Sequence, residues 1–424
     1  MPRAPRGTND VLPAQQHYWE HVETEAESIC KIFGFDRIRL PMFEDSSLFV
    51  RGIGEATDVV EKEMYTFLDR GGDSLTLLPE GTASVCRAYI QHGMHTMVQP
   101  VRLFYFSPIF RYERPQSGRY RQHHQFGVEA LGSEDPIIDA EIIELARSFL
   151  NRLGLYDTTL FVNSIGCPTC RVPYGKILRE YYQDKLDTMC QDCQSRYSRA
   201  PLRLLDCKKP TCQPLALDAP HTIDHLCSDC SQHWEQLLNY LSAINIPFEI
   251  RHSIVRGLDY YTKTVFEFQP NNEAGSQTTI LAGGRYDGLI SQIGGPSTPA
   301  IGFGSGIERL VMNIQALQAR SPADNERPVV ITAAGSVDQH ILVQKAAELR
   351  SQNIYTTIVP SGKSMKAQMR YAGAINARFV IVLGEQELSS GVIQVKDMDS
   401  GSQEEISATS LPGHIISRLQ STQS

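Results

Sequence analysis

Leu103-Phe104-Tyr105-Phe106-Ser107-Pro108-Ile109-Phe110 and Gln122-His123-His124-Gln125-Phe126-Gly127-Val128-Glu129-Ala130-Leu131 flank a turn signal at Pro115 to Gly118. Two strand-like runs joined through proline and glycine read as an antiparallel hairpin, the pairing on which the reading of the fold turns. Alternate strand residues share a face, so Arg111 and Glu113 fall on one side, opposite Gln125, Gly127 and Glu129. A floor holding an arginine, a glutamine and two carboxylates is costly to bury unless a guest satisfies it. The economical guest carries a cationic amino group and an anionic group. Arg114, Gln116, Arg119 and Arg121 make the hairpin tip basic, which suits either a phosphate backbone or plain solvation.

Three more stretches carry the same kind of chemistry. Arg256-Gly257-Leu258-Asp259-Tyr260-Tyr261 sets a guanidinium, a carboxylate and two phenols beside a glycine, just ahead of the alternating strand Val265-Phe266-Glu267-Phe268. Arginine offers a rigid fork of donors, and tyrosine hydroxyls both give and accept hydrogen bonds. In Ala300-Ile301-Gly302-Phe303-Gly304-Ser305-Gly306-Ile307-Glu308-Arg309-Leu310 every second residue from 302 to 306 is glycine. Gly302, Gly304 and Gly306 strip one strand face and leave a flat floor for a planar ring, adenine being the obvious one. A helix expected from Ile307 places Arg309 in its first turn, where the dipole already favours anions. Pro79-Glu80-Gly81-Thr82 precedes a further helix, with Thr82 read either as its N-cap or, with Glu80, as a receiver of an ammonium group.

Around these lie an amphipathic helix over residues 15 to 33, a short strand at Arg37 to Leu40 stopped by Pro41, and a helix from about Ile137 to Leu153. Residues Gln318 to Pro328 read as a linker. Beyond it the unbroken apolar runs Val329-Val330-Ile331-Thr332 and Phe379-Val380-Ile381-Val382-Leu383 alternate with helical patterns at 338 to 350 and 364 to 376. That alternation predicts a separate α/β domain with a mainly parallel sheet. Lys363, Lys366 and Arg370 give it a basic helix face.

With 424 residues the chain is too long for one ordinary core, and its net charge of -8 argues against non-specific coating of nucleic acid. No apolar run approaches the roughly 20 residues that span a bilayer, and Met1 to Arg6 lacks the apolar core of a secretory signal, so a cytoplasmic protein is expected. Eight of the ten cysteines fall between 167 and 230, marking an insertion at about 166 to 235. Cys167-Pro-Thr-Cys170 and Cys190-Gln-Asp-Cys193 have the spacing of a four-thiolate structural zinc site, and Cys207, Cys212, Cys227 and Cys230 offer a second.

Taken together, Arg6-Gly7-Thr8-Asn9-Asp10, the Pro-Glu-Gly-Thr segment, Phe110-Arg111-Tyr112-Glu113-Arg114 with Gln125 and Glu129, Arg256 to Tyr261, and Gly306-Ile307-Glu308-Arg309-Leu310 resemble the class II aminoacyl-tRNA synthetases. The Arg-Gly-Leu-Asp-Tyr-Tyr run resembles the histidine-specific family in particular. The resemblance implies an α+β catalytic domain over 1–322, with a mainly antiparallel sheet and flanking helices, and an anticodon-binding α/β domain over 323–424. It implies ATP-dependent attachment of histidine to its tRNA through histidyl-adenylate, releasing AMP and pyrophosphate, with Mg²⁺ accompanying ATP. By the same match Arg111 would hold the α-phosphate, Arg309 the γ-phosphate, and Glu113 the adenine. Glu80, Thr82 and Gln125 would take the α-amino group and Glu129 and Tyr261 the imidazole, with Gly81, Arg111, Arg256 and Tyr260 also binding histidine, and Arg256 would steady charge developing on the α-phosphate. Asp36 to Glu44 resembles the element that pairs two subunits, implying a homodimer. Leu78 stands where the family usually has arginine, and Gly304 where alanine is common. A regulatory relative without aminoacylation activity would be expected to lack the C-terminal domain and some of the arginines, both retained here.

Overall fold

The structure, a computed structural model, describes residues 2–54, 57, 59–113, 118–271, 279–317, 327–360 and 362–420. It divides into units at 1–321 and 322–424. Arg114, Pro115 and Gln116 of the expected hairpin turn, and residues 318–326 of the expected linker, lie outside the described residues.

In the first unit, α1 (Pro13–Ile32) turns Val22, Ala26, Ile29 and Cys30 inward on one stripe, with Pro13 opening it where a missing N–H costs nothing. After β1 (Asp36–Arg37) and α2 (Thr82–Gln91) comes the hairpin β2 (Val101–Phe110) and β3 (Gln122–Leu131), then α3 (Pro136–Arg152) and β4 (Thr158–Ser164). Helices α4 (Pro168–Tyr182) and α5 (Gln191–Arg199) belong to the insertion, and α6 (Ser228–Ala243) leads back to the sheet. There follow β5 (Glu249–Ile250), β6 (Thr262–Pro270), β7 (Leu281–Arg285), β8 (Ala300–Gly306) and α7 (Ile307–Ala316).

The eight strands run in the order β1-β2-β3-β8-β7-β6-β4-β5. Only the two outermost pairings are parallel; every one between them is antiparallel. Phe104, Phe126, Val128, Phe266 and Phe268 point to the face covered by α1, α3, α6 and α7, where they share a core with Phe149, Trp234 and Leu310. The opposite face carries the polar residues. There Leu103 pairs with Glu129, Tyr105 with Gly127 and Ser107 with Gln125. The insertion packs on this same side through Tyr174, Leu178, Tyr182 and Leu204, in one core with Ile165, Val255 and Tyr261.

The second unit is built from β9 (Val329–Ala334), α8 (Gln339–Ser351), β10 (Thr356–Ile358), α9 (Met365–Ala374), β11 (Phe379–Gly384), β12 (Val392–Asp397), β13 (Gln403–Ser407) and α10 (Leu411–Gln420). The order is β10-β9-β11-β12-β13. The two pairings made by β9 are parallel, as the apolar runs imply, while β12 and β13 add an antiparallel hairpin that makes the sheet mixed. Among the described residues no helix is long and apolar enough to cross a membrane.

Candidate active site

The polar face is organised around Tyr105. Its ring occupies the space where a Cβ on Gly81 or Gly127 would sit, 2.3 and 2.2 Å from the nearest ring atom. Both glycines are therefore packing requirements of one phenol, whose hydroxyl accepts from Gln125 Nε2 at 2.9 Å. Glu80 caps α2 from two residues ahead, accepting from the N–H groups of Thr82 at 2.9 Å and Ala83 at 2.7 Å. Thr82 is thus the first helical residue and not the cap. Its hydroxyl is released to donate to Glu129 at 2.8 Å. Tyr286 also donates to Glu129, and Tyr260 donates to Glu80 at 3.4 Å.

Glu80 and Glu129 are 3% and 1% exposed. Burial pushes Glu129 up to about 8 even though the hydroxyls of Tyr286, Thr82 and Tyr105 stabilise its anion, and it raises Glu80 as well. Burial likewise raises the phenols of Tyr105, Tyr260 and Tyr286, so these act as neutral donors. Among the described residues no arginine, lysine or histidine forms an ion pair with either carboxylate. Two buried acids ringed by phenols complement a small cation.

The three glycines of β8 lead from this buried cluster to an open cleft. Gly302 pairs with Glu129, Gly304 with Gly127 and Gly306 with Gln125. A Cβ at Gly302 would lie 1.8 Å from Glu129 Oε2, and one at Gly304 would lie 2.7 Å from Gln125 Nε2, whereas Gly306 faces open space. The expected flat floor is therefore shorter than the sequence suggests: the space above Gly302 belongs to Glu129, and Gly304 and Gly306 alone line the adjoining cleft. The cleft is flanked by Arg111, Glu113, Arg119, His123, Glu308 and Arg309. Arg111 and Glu113 lie just past the end of β2, so their shared orientation comes from backbone bonds beyond the ladder, including Arg111 N–H to Arg121 C=O at 2.8 Å. Arg111 Nε donates to Pro79 C=O at 2.8 Å, tying the cleft to the Glu80 segment. Arg309 donates to the carbonyls of Thr279 and Gly118. Burial, with Arg111 close by, pulls His123 down to about 3, leaving a neutral imidazole on the wall.

Arg256 does not line this cleft. It lines a neighbouring cavity with Tyr261, Asp259, Lys176, Arg179 and Arg203. Its guanidinium donates to Glu267 at 2.8 Å and lies 5.6 Å from the centroid of the Tyr261 ring. Burial works against its charge, but Tyr261 and Glu267 hold its pKa above the ordinary value. Tyr261 stands 4.7 Å from Tyr260, centroid to centroid, with the rings tilted at 46°, so two phenols in contact lie between Arg256 and the buried acids.

The cysteines group differently from their order in sequence. Cys167, Cys170, Cys227 and Cys230 form one set, and Cys190, Cys193, Cys207 and Cys212 another, with the sulfurs of each set within 4.8 Å of one another. The expectation that Cys167 and Cys170 join Cys190 and Cys193 is corrected: α4 carries the chain away from the first pair, and α6 brings Cys227 and Cys230 back to it. Separations of 3.7, 3.9 and 3.8 Å for Cys167–Cys170, Cys167–Cys227 and Cys190–Cys207 fit the roughly 3.8 Å edge of a tetrahedron with 2.3 Å zinc–sulfur bonds.

The family described as Histidyl-tRNA synthetase matches residues 7–168 and 177–310, and the Anticodon binding domain matches residues 329–418. The chain belongs to the histidyl-tRNA synthetase family. It is 47% identical over 407 residues to the histidine–tRNA ligase of Desulforamulus reducens, covering 96% of this chain and 97% of that protein. Against the histidine–tRNA ligase of Dehalococcoides mccartyi the identity is 49% with the same coverage. The apo histidyl-tRNA synthetase of S. aureus superposes with a TM-score of 0.82 at 35% identity, covering 98% of this chain and 99% of that one. Both the family's sheet and its C-terminal mixed domain are accounted for by the two units above. Tyr105, His123 and Tyr286 escaped sequence reasoning. Each lies in an ordinary strand or turn context, and only the paired strands bring them to the site.

Proposed function

We propose that this chain activates histidine with ATP and transfers it to its tRNA. The single observation carrying the reading is that one glycine-bearing strand runs from a buried cluster of acids and phenols at Gly302 to an arginine-flanked cleft at Gly306. The four residue steps from Gly302 to Gly306 span about 13 Å, a length suited to an amino acid joined to a nucleotide. Glu80 and Gln125 receive the α-ammonium group, and Glu129 with Tyr260 and Tyr261 reads the imidazole. Such a reader rejects apolar rings, because its buried polar groups would be left unpaired. In the cleft Arg111 and Arg309 offset the repulsion between the incoming carboxylate and the triphosphate. Glu113 and Glu308 are donors of the type Mg²⁺ accepts, so the cleft suits a Mg²⁺ carried in on the phosphates, where it supplies further charge neutralisation.

Several observations favour the remaining partners. Lys176, Arg179 and Arg203 line the cavity beside Tyr261, and Lys366 and Arg370 are exposed on α9, both suited to RNA phosphates. Met42, Phe43, Phe67 and Leu68 are exposed apolar side chains at and near Asp36 to Glu44, the kind of surface a second copy of the chain would cover. All ten cysteines are unpaired, the state a reducing cytosol maintains, and the two thiol sets suit structural zinc.

The test is pyrophosphate exchange with each amino acid in turn, followed by charging of histidine tRNA. Exchange that does not depend on histidine would remove the reading; exchange without charging would confine it to adenylation. Gly302→Ala should abolish histidine-dependent exchange, because its methyl must displace either the Glu129 carboxylate or the Val128 carbonyl, which would lie 2.4 Å away. Overpacking of this kind costs about 1–3 kcal/mol, so the variant should still fold, and circular dichroism would check that. Wild-type histidine affinity in Gly302→Ala would show that Glu129 does not hold the ligand.

A further inference from the structure

The two thiol sets are built alike but connect to different parts of the molecule. In each set a cysteine stands at the N-cap of a helix and a backbone N–H donates to a sulfur: Cys227 N–H to Cys170 Sγ at 3.1 Å, and Cys190 N–H to Cys212 Sγ at 3.3 Å. Helix N-termini and amide donors favour thiolate over thiol. The Cys190 set lies wholly within the insertion. The Cys167 set instead joins the two points where the insertion leaves and re-enters the catalytic unit, just after β4 and at the start of α6.

Arg171 singles out the Cys167 set. It follows Cys170 by one residue, and its Nε and Nη2 are buried without a hydrogen-bond partner. Nη1 reaches Asp259 C=O at 3.4 Å. The charges that act on the guanidinium are those of Asp259 and of Cys167, Cys170 and Cys230. A guanidinium with two nitrogens buried and idle is costly beside neutral thiols. Four thiolates around one Zn²⁺ carry a net charge of minus two, and beside that dianion the same guanidinium becomes its counter-ion. On the far side Arg171 grips the residue directly before Tyr260, whose hydroxyl reaches Glu80 in the acid pocket.

We propose that zinc in the Cys167–Cys170–Cys227–Cys230 set acts through Arg171 to position the Asp259–Tyr260 wall of the histidine pocket, while zinc in the other set holds only the insertion together. This rests on the zinc reading and on the histidine reading of the pocket. Arg171 is a positioning residue: it directly follows Cys170 in the chain and donates to the wall, not to the substrate.

Full-length protein produced with zinc would be assayed for metal content, for histidine binding by calorimetry and for histidine-dependent exchange. Wild type should hold two zinc ions per chain. Cys227→Ser with Cys230→Ser should hold one and raise the histidine KM roughly tenfold with little change in kcat, as expected when a binding wall shifts by a fraction of an ångström. Cys207→Ser with Cys212→Ser should also hold one but leave the histidine KM unchanged. Arg171→Ala removes no ligand; it should keep the metal count yet weaken histidine binding to the same degree and release one of its two zinc ions to a chelator faster, with Arg171→Lys restoring part of both. Should the cysteine variants fail to fold, Arg171→Ala decides, and unchanged histidine affinity there overturns the proposal. Zinc absent from wild type overturns the metal reading on which it rests, whereas exchange indifferent to histidine overturns the pocket assignment.

Discussion

Arg256→Ala is expected to slow histidine-dependent exchange by roughly 10²–10³ in kcat, the loss typical of removing one donor aimed at developing charge. The histidine KM should move far less, because an interaction that strengthens in the transition state is not lost from the ground state. The charge-stabilising role is the one the family resemblance implies for Arg256, whose side chain lines a cavity separate from the cleft and is set apart from an ordinary packing residue. Its backbone sits at φ 64, a left-handed conformation rare outside glycine, and Nε is buried without a partner. Glu267 occupies one end of the guanidinium and is itself held in place, since Gln269 and Thr279 donate to its other oxygen at 2.9 and 2.6 Å. Those two bonds remain in Arg256→Ala, so the stability loss should stay on the order of 1–3 kcal/mol, and thermal melting would separate it from the kinetic effect. Glu267→Gln is the control: it keeps the fork's neighbour but removes its charge, and should slow exchange by much less. Equal losses in kcat and in histidine affinity for Arg256→Ala would refute the charge-stabilising role.

What the sequence disclosed, it disclosed through local period and residue type. The hairpin Leu103–Leu131 and the alternating glycines at 302, 304 and 306 were legible because a strand's two-residue repeat sorts side chains onto faces without knowledge of neighbours. The start of α2 was legible too, but not which oxygen caps it: Glu80 and Thr82 are both competent, and the choice is settled by Glu129, 47 residues away, which takes the Thr82 hydroxyl. The cysteine grouping failed for the same reason. Spacing favours pairing neighbouring Cys-x-x-Cys motifs, while the return of α6 closes the outer set over a separation of 57 residues between Cys170 and Cys227. The antiparallel hairpin β12 and β13 was overlooked because its burial alternates and it lacks the unbroken apolar run that marks β9 and β11. Arg111 and Glu113 were assigned to a strand face that ends at Phe110, one residue before the first and three before the second.

The largest stability effect should come from a residue that sequence alone gave no reason to single out. Arg285, at the end of β7, is fully buried against the equally buried Asp139 of α3. The guanidinium also donates to Ser133 C=O at 2.7 Å and to Asp287 at 3.2 Å, and Asp139 accepts from His233 at 2.9 Å and Thr264 at 2.6 Å. Arg285→Met should cost about 3–5 kcal/mol in denaturant unfolding, because it strands a buried carboxylate. Replacing both partners, with Asp139→Leu added, should recover most of that loss, since no charge is then left without its mate. Burial would raise Asp139, but Arg285 and His233 outweigh it and hold the carboxyl at about 2. A folded value below the ordinary 3.8 means that Asp139 contributes stability fully above about pH 4 and loses it as pH falls towards 2, on the order of 2 kcal/mol in all. That acid-side loss should be present in wild type and absent from the double variant. Because Arg285 directly precedes Tyr286, which donates to Glu129, the single variant should also weaken histidine binding, and the double variant should restore it only if the Tyr286 hydroxyl returns to Glu129. A single variant as stable as wild type, with an unchanged acid limb, would mean the cluster is an ornament of the fold and not the strut behind the pocket wall.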